Sequence, residues 1–452
     1  MKVIKFGGSS LANATQLEKV LNIVKSDADR RVVVVSAPGK RHKEDDKVTD
    51  LLIELAQLSL DGQNYDHVYN KIVARFSDMV DELSLNKSVL DIIVKNIDEL
   101  LQGDKSQPSY YMDALKASGE DNNAKLVAAY FNQSGLPSVY VSPKEAGLFV
   151  SDVPGNADVL PESYDNLKSL TNRDEIVVFP GFFGYTLDGK VVTFSRGGSD
   201  ITGAIVAKGV LAHLYENFTD VDGICVANPA IVEDPIRLEE LTYREMRELS
   251  YAGFSVFHDE ALRPAFEEGI PVRVKNTNNP SAPGTLISTS VPHNKYLVTG
   301  IASMTGFTSI HVEKYLMNRE VGFGRKLLSI LEDLNVSYEH MPSGIDDITI
   351  LLRDNQLTPE KNQILLQRIK YELNVDDVYF NDPLCLVMIV GEGMVEEVGT
   401  LSRAARAFAK AGVNIQMVNQ GSSEISVVFG IALHDEKTAV QALYEEFFLD
   451  VE

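Results

Sequence analysis

The sequence has few cysteines, a deficit of cationic residues and no long hydrophobic run. Its two cysteines, Cys225 and Cys385, lie far apart, so a disulfide framework is not indicated. Lys and Arg number 42 against 65 Asp and Glu, and the net charge of −23 argues against nucleic acid or an anionic membrane as a partner. The sequence shows no apolar run of about 18 residues and no N-terminal apolar segment of the signal-peptide kind. We therefore expect a soluble, cytoplasmic protein.

The chain is long enough for two or three domains, since it has 452 residues of which 44% are hydrophobic. In its N-terminal part, short apolar runs that end in glycine or polar turns alternate with helical patterns. This alternation predicts an α/β fold with a mostly parallel central sheet and helices on both faces. The predicted strands are Val3–Phe6, Arg31–Val35, Ser138–Val141, Ile176–Phe179, Tyr215–Phe218 and Pro271–Val274.

One stretch, Val191–Ala207, has the pattern of a strand, a glycine turn and a helix. Its glycines allow the backbone to approach a ligand, and the amide groups at the helix start favour an anion. Arg196 adds a cationic fork that suits a carboxylate or a phosphate. Asp200 is placed either to cap the helix or to meet a cation.

A second strand–glycine–helix unit opens the chain, at Met1–Leu11. It differs from a P-loop because Lys5 precedes the glycines Gly7 and Gly8. A lysine near an N-terminus is often only a solvated surface residue. Here the lysine interrupts an apolar strand directly before a double glycine, which favours a functional role. In a parallel sheet Lys5 and Arg196 would face the same crevice.

Polar segments between these units give further candidates. Lys40–Lys47 is highly charged and predicts a mobile loop, and Thr49 begins a helical pattern after it. Ser118–Asp121 interrupts a long helical pattern, which predicts a helix start carrying a carboxylate pair. Glu120 could cap that helix or bind a ligand.

Several of the candidates lie where predicted strands end. In a parallel sheet these ends share one edge, so the side chains would converge there. A nucleotide with acidic groups nearby would explain the cations and glycines, although composition alone does not specify it. The strand-end candidates are Lys5, Ser36, Arg196, Thr219 and Lys275.

Four ordered motifs resemble those of the aspartokinases, a family of the amino acid kinase superfamily, and the resemblance covers nearly the whole chain. It implies transfer of a phosphoryl group from ATP, with Mg²⁺, to the side-chain carboxylate of L-aspartate. The product would be 4-phospho-L-aspartate, at the head of the route to lysine, threonine and methionine. The motifs are KFGGSS at Lys5–Ser10, SRGGSD at Ser195–Asp200, FTDVDGI at Phe218–Ile224 and VRVKNTNNPSAPGTLI at Val272–Ile287.

The resemblance also implies site residues. Lys5 and Asp200 would be catalytic, with Lys5 bridging the transferring phosphate and Asp200 orienting Lys5 or meeting the substrate. Magnesium would come with ATP, and no metal cage of protein ligands is evident. Cys225 and Ala230 stand where the family often has Tyr and Arg, which affects the expected adenosine contacts. The implied ATP-binding residues are Lys5, Phe6, Gly7, Gly8, Thr219, Asp220, Lys275 and Asn276. The implied aspartate-binding residues are Ser36, Thr49, Glu120, Arg196, Gly197, Gly198 and Ser199.

The C-terminal part of the chain repeats one pattern of strand, turn, helix and strand. The first copy runs from Thr308–Val312 to Ile348–Leu352, and the second from Leu384–Val390 to Ile425–Gly430. The short strand candidate Val298–Ser303 precedes the first copy and would complete the second. The two copies resemble a pair of ACT domains, which are amino-acid-sensing modules. We expect a catalytic domain at 1–295, a first ACT domain at 296–372 and a second at 373–452.

The ACT resemblance implies regulation by an amino acid, lysine or threonine or both, and a homo-oligomer, expected to be a dimer through the ACT domains. The stretch Asn419–Glu424 matches the effector segment in the second copy. Two structural domains that only dimerise are the alternative for this tail. For the whole chain the alternatives are another carboxylate kinase, for acetylglutamate or glutamate, and a non-catalytic sensor that retains the fold. The implied regulatory residues are Met317, Gly322, Phe323, Ser337 and Glu339.

Overall fold

The computed structural model describes residues 1–195, 197–254, 261–291 and 296–449. The chain divides into two compact units. The N-terminal unit comprises Met1–Ile224, Arg237–Arg247 and, within Ser255–Val291, the described residues. The C-terminal unit comprises Cys225–Ile236, Glu248–Phe254 and, within Pro292–Glu452, the described residues. In these ranges no helix combines the length and the apolarity that a membrane crossing requires.

The described residues up to Val291 form the helices and strands of a mixed α/β fold. In chain order they are β1 (Lys2–Phe6), α1 (Ala14–Lys25), β2 (Arg30–Val35), α2 (Val48–Leu60), α3 (Asp66–Glu82), α4 (Ser88–Leu101), α5 (Pro108–Gln133), β3 (Ser138–Tyr140), α6 (Glu162–Leu167), β4 (Ile176–Pro180), β5 (Phe183–Tyr185), β6 (Val191–Thr193), α7 (Gly198–Gly209), β7 (Leu214–Thr219), β8 (Glu240–Thr242), α8 (Tyr243–Tyr251), α9 (Arg263–Glu268), β9 (Val272–Asn276) and β10 (Thr285–Ser288).

Eight of these strands form one sheet, in the order β3-β4-β2-β1-β7-β9-β10-β8. All neighbouring pairs are parallel except β9 with β10. The continuous valine run of β2 is completely buried from Val32 to Val35, as expected for a parallel strand covered on both faces. The predicted α/β fold is therefore confirmed. Because β1, β2, β7 and β9 run in the same direction, their carboxyl ends lie at one edge of the sheet.

The prediction of a helix start at Ser118–Asp121 is wrong, because these residues lie inside α5. Gly119 misled it, since glycine often marks a helix boundary. Here it allows close packing instead: a Cβ atom on Gly119 would lie 2.9 Å from the Cβ of Ala37 and 3.0 Å from Cδ1 of Leu52. This part of α5 is buried on several faces, so its sequence lacks the periodicity of a surface helix.

The charged loop at Lys40–Lys47 is anchored to α3. The guanidinium of Arg75 is buried and donates to the carbonyl oxygen of Gly39 at 2.6 Å and to Oδ2 of Asp45 at 2.9 Å. Desolvation of a buried guanidinium is offset when its donors are paired in this way. The loop after β2 is therefore held against α3.

The C-terminal unit contains an antiparallel sheet of six strands, in the order β12-β11-β14-β16-β15, with β13 also paired to β11. Its long strand β11 has a register shift between Met304 and Phe307. Before the shift, Gly300–Met304 pairs with β14, and after it Phe307–Glu313 pairs with β12. The elements are β11 (Gly300–Glu313), α10 (Phe323–Asp333), β12 (Asp347–Arg353), α11 (Pro359–Glu372), β13 (Asp377–Phe380), β14 (Leu384–Val390), α12 (Thr400–Lys410), β15 (Met417–Gln420), β16 (Ser426–Ala432) and α13 (Glu436–Tyr444).

The division of the chain differs from the predicted boundaries in three places. Cys225–Ile236, which includes Ala230, and Glu248–Phe254 belong to the C-terminal unit although both precede residue 295. The strand β13 follows the predicted boundary at 372 but pairs with the second half of β11. Boundaries placed by composition assume continuous segments, whereas these assignments depend on strand pairing and packing between distant segments.

Candidate active site

A buried lysine–carboxylate pair lies at the carboxyl edge of the parallel sheet. Lys5, the penultimate residue of β1, is 6% exposed, and its Nζ lies 2.5 Å from Oδ1 of Asp200. Asp200 belongs to the first turn of α7, where the helix dipole stabilises a negative charge. The structure therefore brings together the two residues predicted to be catalytic, Lys5 and Asp200.

Two residues of β7 that were missed from the sequence complete this group. Register places Asn217 beside Lys5 on the neighbouring strand. The amide nitrogen of Asn217 lies 2.5 Å from the same Oδ1 of Asp200 and 3.1 Å from the hydroxyl of Tyr215. Tyr215 also donates to the backbone oxygen of Asp200 at 3.2 Å. The sequence signal was a pair of polar residues, Glu216 and Asn217, between the aromatic residues of a buried strand.

The glycine turn after β1 packs directly against the loop after β2. The amide of Gly39 donates to the carbonyl oxygen of Gly8 at 2.8 Å, and a Cβ atom on Gly39 would lie 2.5 Å from the carbonyl carbon of Gly8. The amide of Gly7 donates to the carbonyl oxygen of Phe218 at 3.1 Å, and Phe6 is fully buried. Gly7 and Phe6 therefore shape the turn from within the protein.

The start of α7 also depends on glycine. Gly197 precedes the helix with a φ of 75°, in the left-handed region that glycine tolerates. A Cβ atom on Gly198 would lie 2.4 Å from Cδ2 of Phe182. The first turn, which carries Ser199 and Asp200, therefore depends on glycine at positions 197 and 198, and its amide groups favour an anion. Arg196 lies outside the described residues.

Glu120 projects from the middle of α5 and is buried, and its Oε2 has no hydrogen-bond partner within the described ranges. Burial raises the pKa of Glu120 to about 8, although a hydrogen bond from the backbone of Ala37 acts in the opposite direction. Asn123 follows Glu120 by three residues on α5, and its side-chain amide donates to the carbonyl oxygen of Ser36 at 2.7 Å. A buried carboxylate with one free oxygen suits a cationic group, and Ser36 lies on the neighbouring loop. Thr49 lies in the first turn of α2, which follows the anchored loop.

The predicted nucleotide residues lie at the ends of β7 and β9, where register pairs Thr219 with Asn276. The amide of Asn276 donates to Oδ1 of Asp222 at 2.7 Å, and this bond lowers the pKa of Asp222. Asp222 was not among the predicted site residues, although it belongs to the TDVDG motif. The hydroxyl of Thr219 donates to Oδ1 of Asp220 at 3.2 Å. These groups form a polar edge next to β1.

Lys275 leaves the sheet on the face opposite Lys5. Register pairs it with Phe218, one position beyond the Lys5–Asn217 pair, so its side chain leaves the opposite face of the sheet. Burial lowers its pKa. In the part of the chain that the structure describes, no group of three or more His, Cys, Asp or Glu side chains is arranged to hold a metal ion.

The predicted regulatory residues all lie in the C-terminal unit and differ in how deeply they are buried. Met317 and Phe323 are buried in the core beneath α10, whereas Gly322 and Ser337 are exposed. Glu339 is half-buried and already paired: its Oε1 accepts from Nε of Arg353 at 2.7 Å, and its Oε2 accepts from the hydroxyl of Tyr251.

Comparison with known proteins agrees with this geometry. The Amino acid kinase family model matches residues 1–276, and an ACT domain model matches residues 387–447. Aspartokinase 3 of Bacillus subtilis is 57% identical over 451 residues, which cover 100% of this chain and 99% of that protein. The crystal structure of Clostridium acetobutylicum aspartate kinase, an allosteric enzyme, has a TM-score of 0.87 at 40% identity, covering 99% of this chain and 100% of that one. The structure of E. coli aspartokinase III in complex with aspartate and ADP has a TM-score of 0.79 at 24% identity and covers 99% of both chains, which supports the fold. With its lysine–aspartate pair at the glycine-rich sheet edge and its tandem ACT-like tail, the chain belongs to the aspartokinase family.

Proposed function

We propose that this aspartate kinase transfers the γ-phosphoryl group of ATP to the side-chain carboxylate of L-aspartate at the carboxyl edge of the parallel sheet. The observation that carries the assignment of residues is the ion pair between Asp200 and the buried Lys5, which lies just before the glycine turn. Phosphoryl transfer depends on positioning and on neutralising charge on the phosphate oxygens. Lys5 supplies that charge, and Asp200 holds its ammonium group in place.

The aspartate substrate is bound through its two charged ends. Glu120 takes the ammonium group, because its free carboxylate oxygen is buried and lacks a partner in the described ranges. Arg196, together with the amides of Gly197, Gly198 and Ser199 at the start of α7, takes a carboxylate. Ser36, in the loop after β2, and Thr49, in the first turn of α2, line the same site. The reacting carboxylate is ionised at pH 7, so the reaction needs no strong general base.

The nucleotide lies at the adjacent strand ends. We assign its phosphates to Lys5 and the amide of Gly8, and its remaining contacts to Thr219, Asp220 and Asn276. Phe6 and Gly7 support the turn, and Lys275 contributes to the electrostatic field at this edge. Mg²⁺ enters on the ATP phosphates, since magnesium is commonly held by phosphate oxygens, waters and one or two carboxylates. Both substrates are cytoplasmic metabolites, which supports a cytoplasmic location.

The C-terminal unit is proposed to sense an amino acid, lysine or threonine or both, and to dimerise through its ACT-like halves. Two valines support a protein partner at the helix starts: Val321 before α10 is 97% exposed and Val398 before α12 is 94% exposed. Apolar side chains at equivalent places in both halves suit an interface. Met317, Gly322, Phe323, Ser337 and Glu339 belong to the segments that would border the effector.

The first test is Lys5→Ala, assayed as ADP formation that depends on aspartate. Loss of a preorganised charge contact is expected to lower kcat by about 100-fold or more. Lys19→Ala is the matched control, because Lys19 is half-buried and bonds only Asn278 among its described partners. A folded Lys5→Ala variant with normal kcat would remove Lys5 from the mechanism. Turnover with glutamate or acetylglutamate in place of aspartate, or binding without turnover, would favour the alternative functions.

A further inference from the structure

We propose that Asn217 is a positioning residue for phosphoryl transfer, because its side-chain amide fixes the Asp200 carboxylate that in turn holds Lys5. The inference rests on the roles proposed above for Lys5 and Asp200. It assigns a functional role to a residue of β7.

Strand register explains why Asn217 can do this. In the parallel pair of β1 and β7, Lys5 and Asn217 are direct neighbours, so their side chains leave the same face of the sheet. Both reach Asp200 at the start of α7, and both bond the same oxygen, Oδ1, at 2.5 Å. Asp200 is therefore held from two adjacent strands at once.

The charge balance favours a neutral amide at this position. Lys5 and Asp200 form a one-to-one ion pair, and Asn217 adds a hydrogen bond without adding charge. The amide hydrogen bond holds the Asp200 carboxylate, and that carboxylate holds the Lys5 ammonium group in place. A second cation would compete for Asp200, and a second carboxylate would neutralise the charge that Lys5 offers to phosphate.

Tyr215 fixes Asn217 in turn. The Tyr215 ring is fully buried, and its hydroxyl bonds the amide nitrogen of Asn217 at 3.1 Å and the backbone oxygen of Asp200 at 3.2 Å. Room for this hydroxyl comes from Gly203 on α7, where a Cβ atom would lie 2.3 Å from the Tyr215 oxygen. The side chain of Asn217 is thus oriented by packing on both strand and helix.

The test compares Asn217→Asp and Asn217→Leu with the unsubstituted enzyme across pH. Asn217→Leu removes the donor, and kcat is expected to fall about 10- to 100-fold, the effect of one lost hydrogen bond to a charged group, with little change in either KM. Asn217→Asp keeps the shape but places two carboxylates together, which raises the pKa of one of them. At low pH the added carboxyl group is protonated and can donate to Asp200 as the amide does. Its kcat should therefore rise toward the normal value as pH falls from 8 to about 5.

Asn132→Asp is the matched control, because the Asn132 amide also donates two hydrogen bonds, to Ala128 and Ser138, but belongs to the end of α5. It should leave the shape of the pH profile unchanged. Circular dichroism and a thermal melt check folding, and if Asn217→Leu fails to fold, the isosteric aspartate variant decides. Parallel pH profiles for Asn217→Asp and the unsubstituted enzyme, or a loss confined to KM, would overturn the proposal. Absence of aspartate-dependent ADP formation by the unsubstituted enzyme would instead overturn the proposed function.

Discussion

The polar side chains at the carboxyl edge of the N-terminal sheet differ in burial and pairing from those in the first ACT-like half of the C-terminal unit. At the sheet edge, Lys5 and Asp200 are buried or nearly so and converge, and Glu120 keeps an oxygen unpartnered within the described ranges. In the ACT-like half, Glu339 is paired with Arg353 and Tyr251, and Ser337 lies exposed. Glu120 at the sheet edge thus has an oxygen available for a ligand, whereas both oxygens of Glu339 already have hydrogen-bond donors.

This difference has an energetic meaning. A buried carboxylate without a full set of partners destabilises the fold, and such groups persist where a ligand completes them. In the ACT-like half the predicted residues lie in the core, in solvent or, for Glu339, in a formed ion pair, although Nε2 of the neighbouring His340 is also buried without a partner within the described ranges. A ligand site built from exposed and paired residues needs a further surface to enclose it, which is consistent with the proposed dimer.

The largest expected effect concerns the carboxylate end of the substrate. If Arg196 forms a bidentate pair with aspartate, Arg196→Lys should raise the aspartate KM about 100-fold, because an ammonium group cannot replace the planar fork. The ATP KM should change little. Initial rates with each substrate varied in turn would measure both constants.

Arg173→Lys is the control for this substitution, since the Arg173 guanidinium pairs with Glu145 outside the predicted site. It should leave both constants unchanged. A rise in the ATP KM with a normal aspartate KM for Arg196→Lys would reverse the assignment and place Arg196 on the phosphates.

The next effect concerns protons at Glu120. With a pKa of about 8 in the unliganded protein, Glu120 is mostly protonated at pH 7, and the substrate ammonium group should ionise it. Aspartate binding at pH 7 should therefore release close to one proton, and the aspartate KM should fall at least about 10-fold as pH rises from 6 to 8. Calorimetry in buffers of different ionisation enthalpy would count the proton.

Glu120→Gln supplies the contrast, because it keeps the size of the side chain and removes the titration. Its aspartate KM should be high and independent of pH in this range, with no proton released. Proton release that persists in Glu120→Gln would show that another group titrates on binding.

Much of both large sheets could be predicted from sequence, because fully buried strands are local runs of apolar residues. Arg30–Val35 and Leu384–Val390 show how closely such runs follow the strands. The pairing of Lys5 with Asp200 was also predictable, since each residue adjoins a glycine turn. What these residues share is that their signal lies in their immediate neighbours along the chain.

The features that sequence missed depend on contacts between distant segments. Asn217 gains its place from the register of β1 with β7 and from the start of α7, and Asp222 gains its place from Asn276. Glu120 appeared to start a helix because Gly119 resembles a boundary when its packing against Ala37 is unknown. In each case the deciding partner lies far away in the sequence.

The smallest expected effect tests the regulatory half. Glu339→Ala should raise the apparent Ki of the effector about fivefold, at the lower end of allosteric coupling, while kcat without effector stays near normal. Glu339 holds Arg353 and Tyr251 together, so its removal changes the effector segment without reaching the sheet edge. Inhibition by lysine, threonine and methionine, singly and in pairs at millimolar concentration, would be measured for both proteins.

Glu372→Ala removes an exposed carboxylate that pairs with Arg368 in the same unit, and it should leave the Ki unchanged. An enzyme indifferent to all three amino acids would leave this unit as a dimerisation device, and the contrast with the sheet edge would then be one between catalysis and assembly.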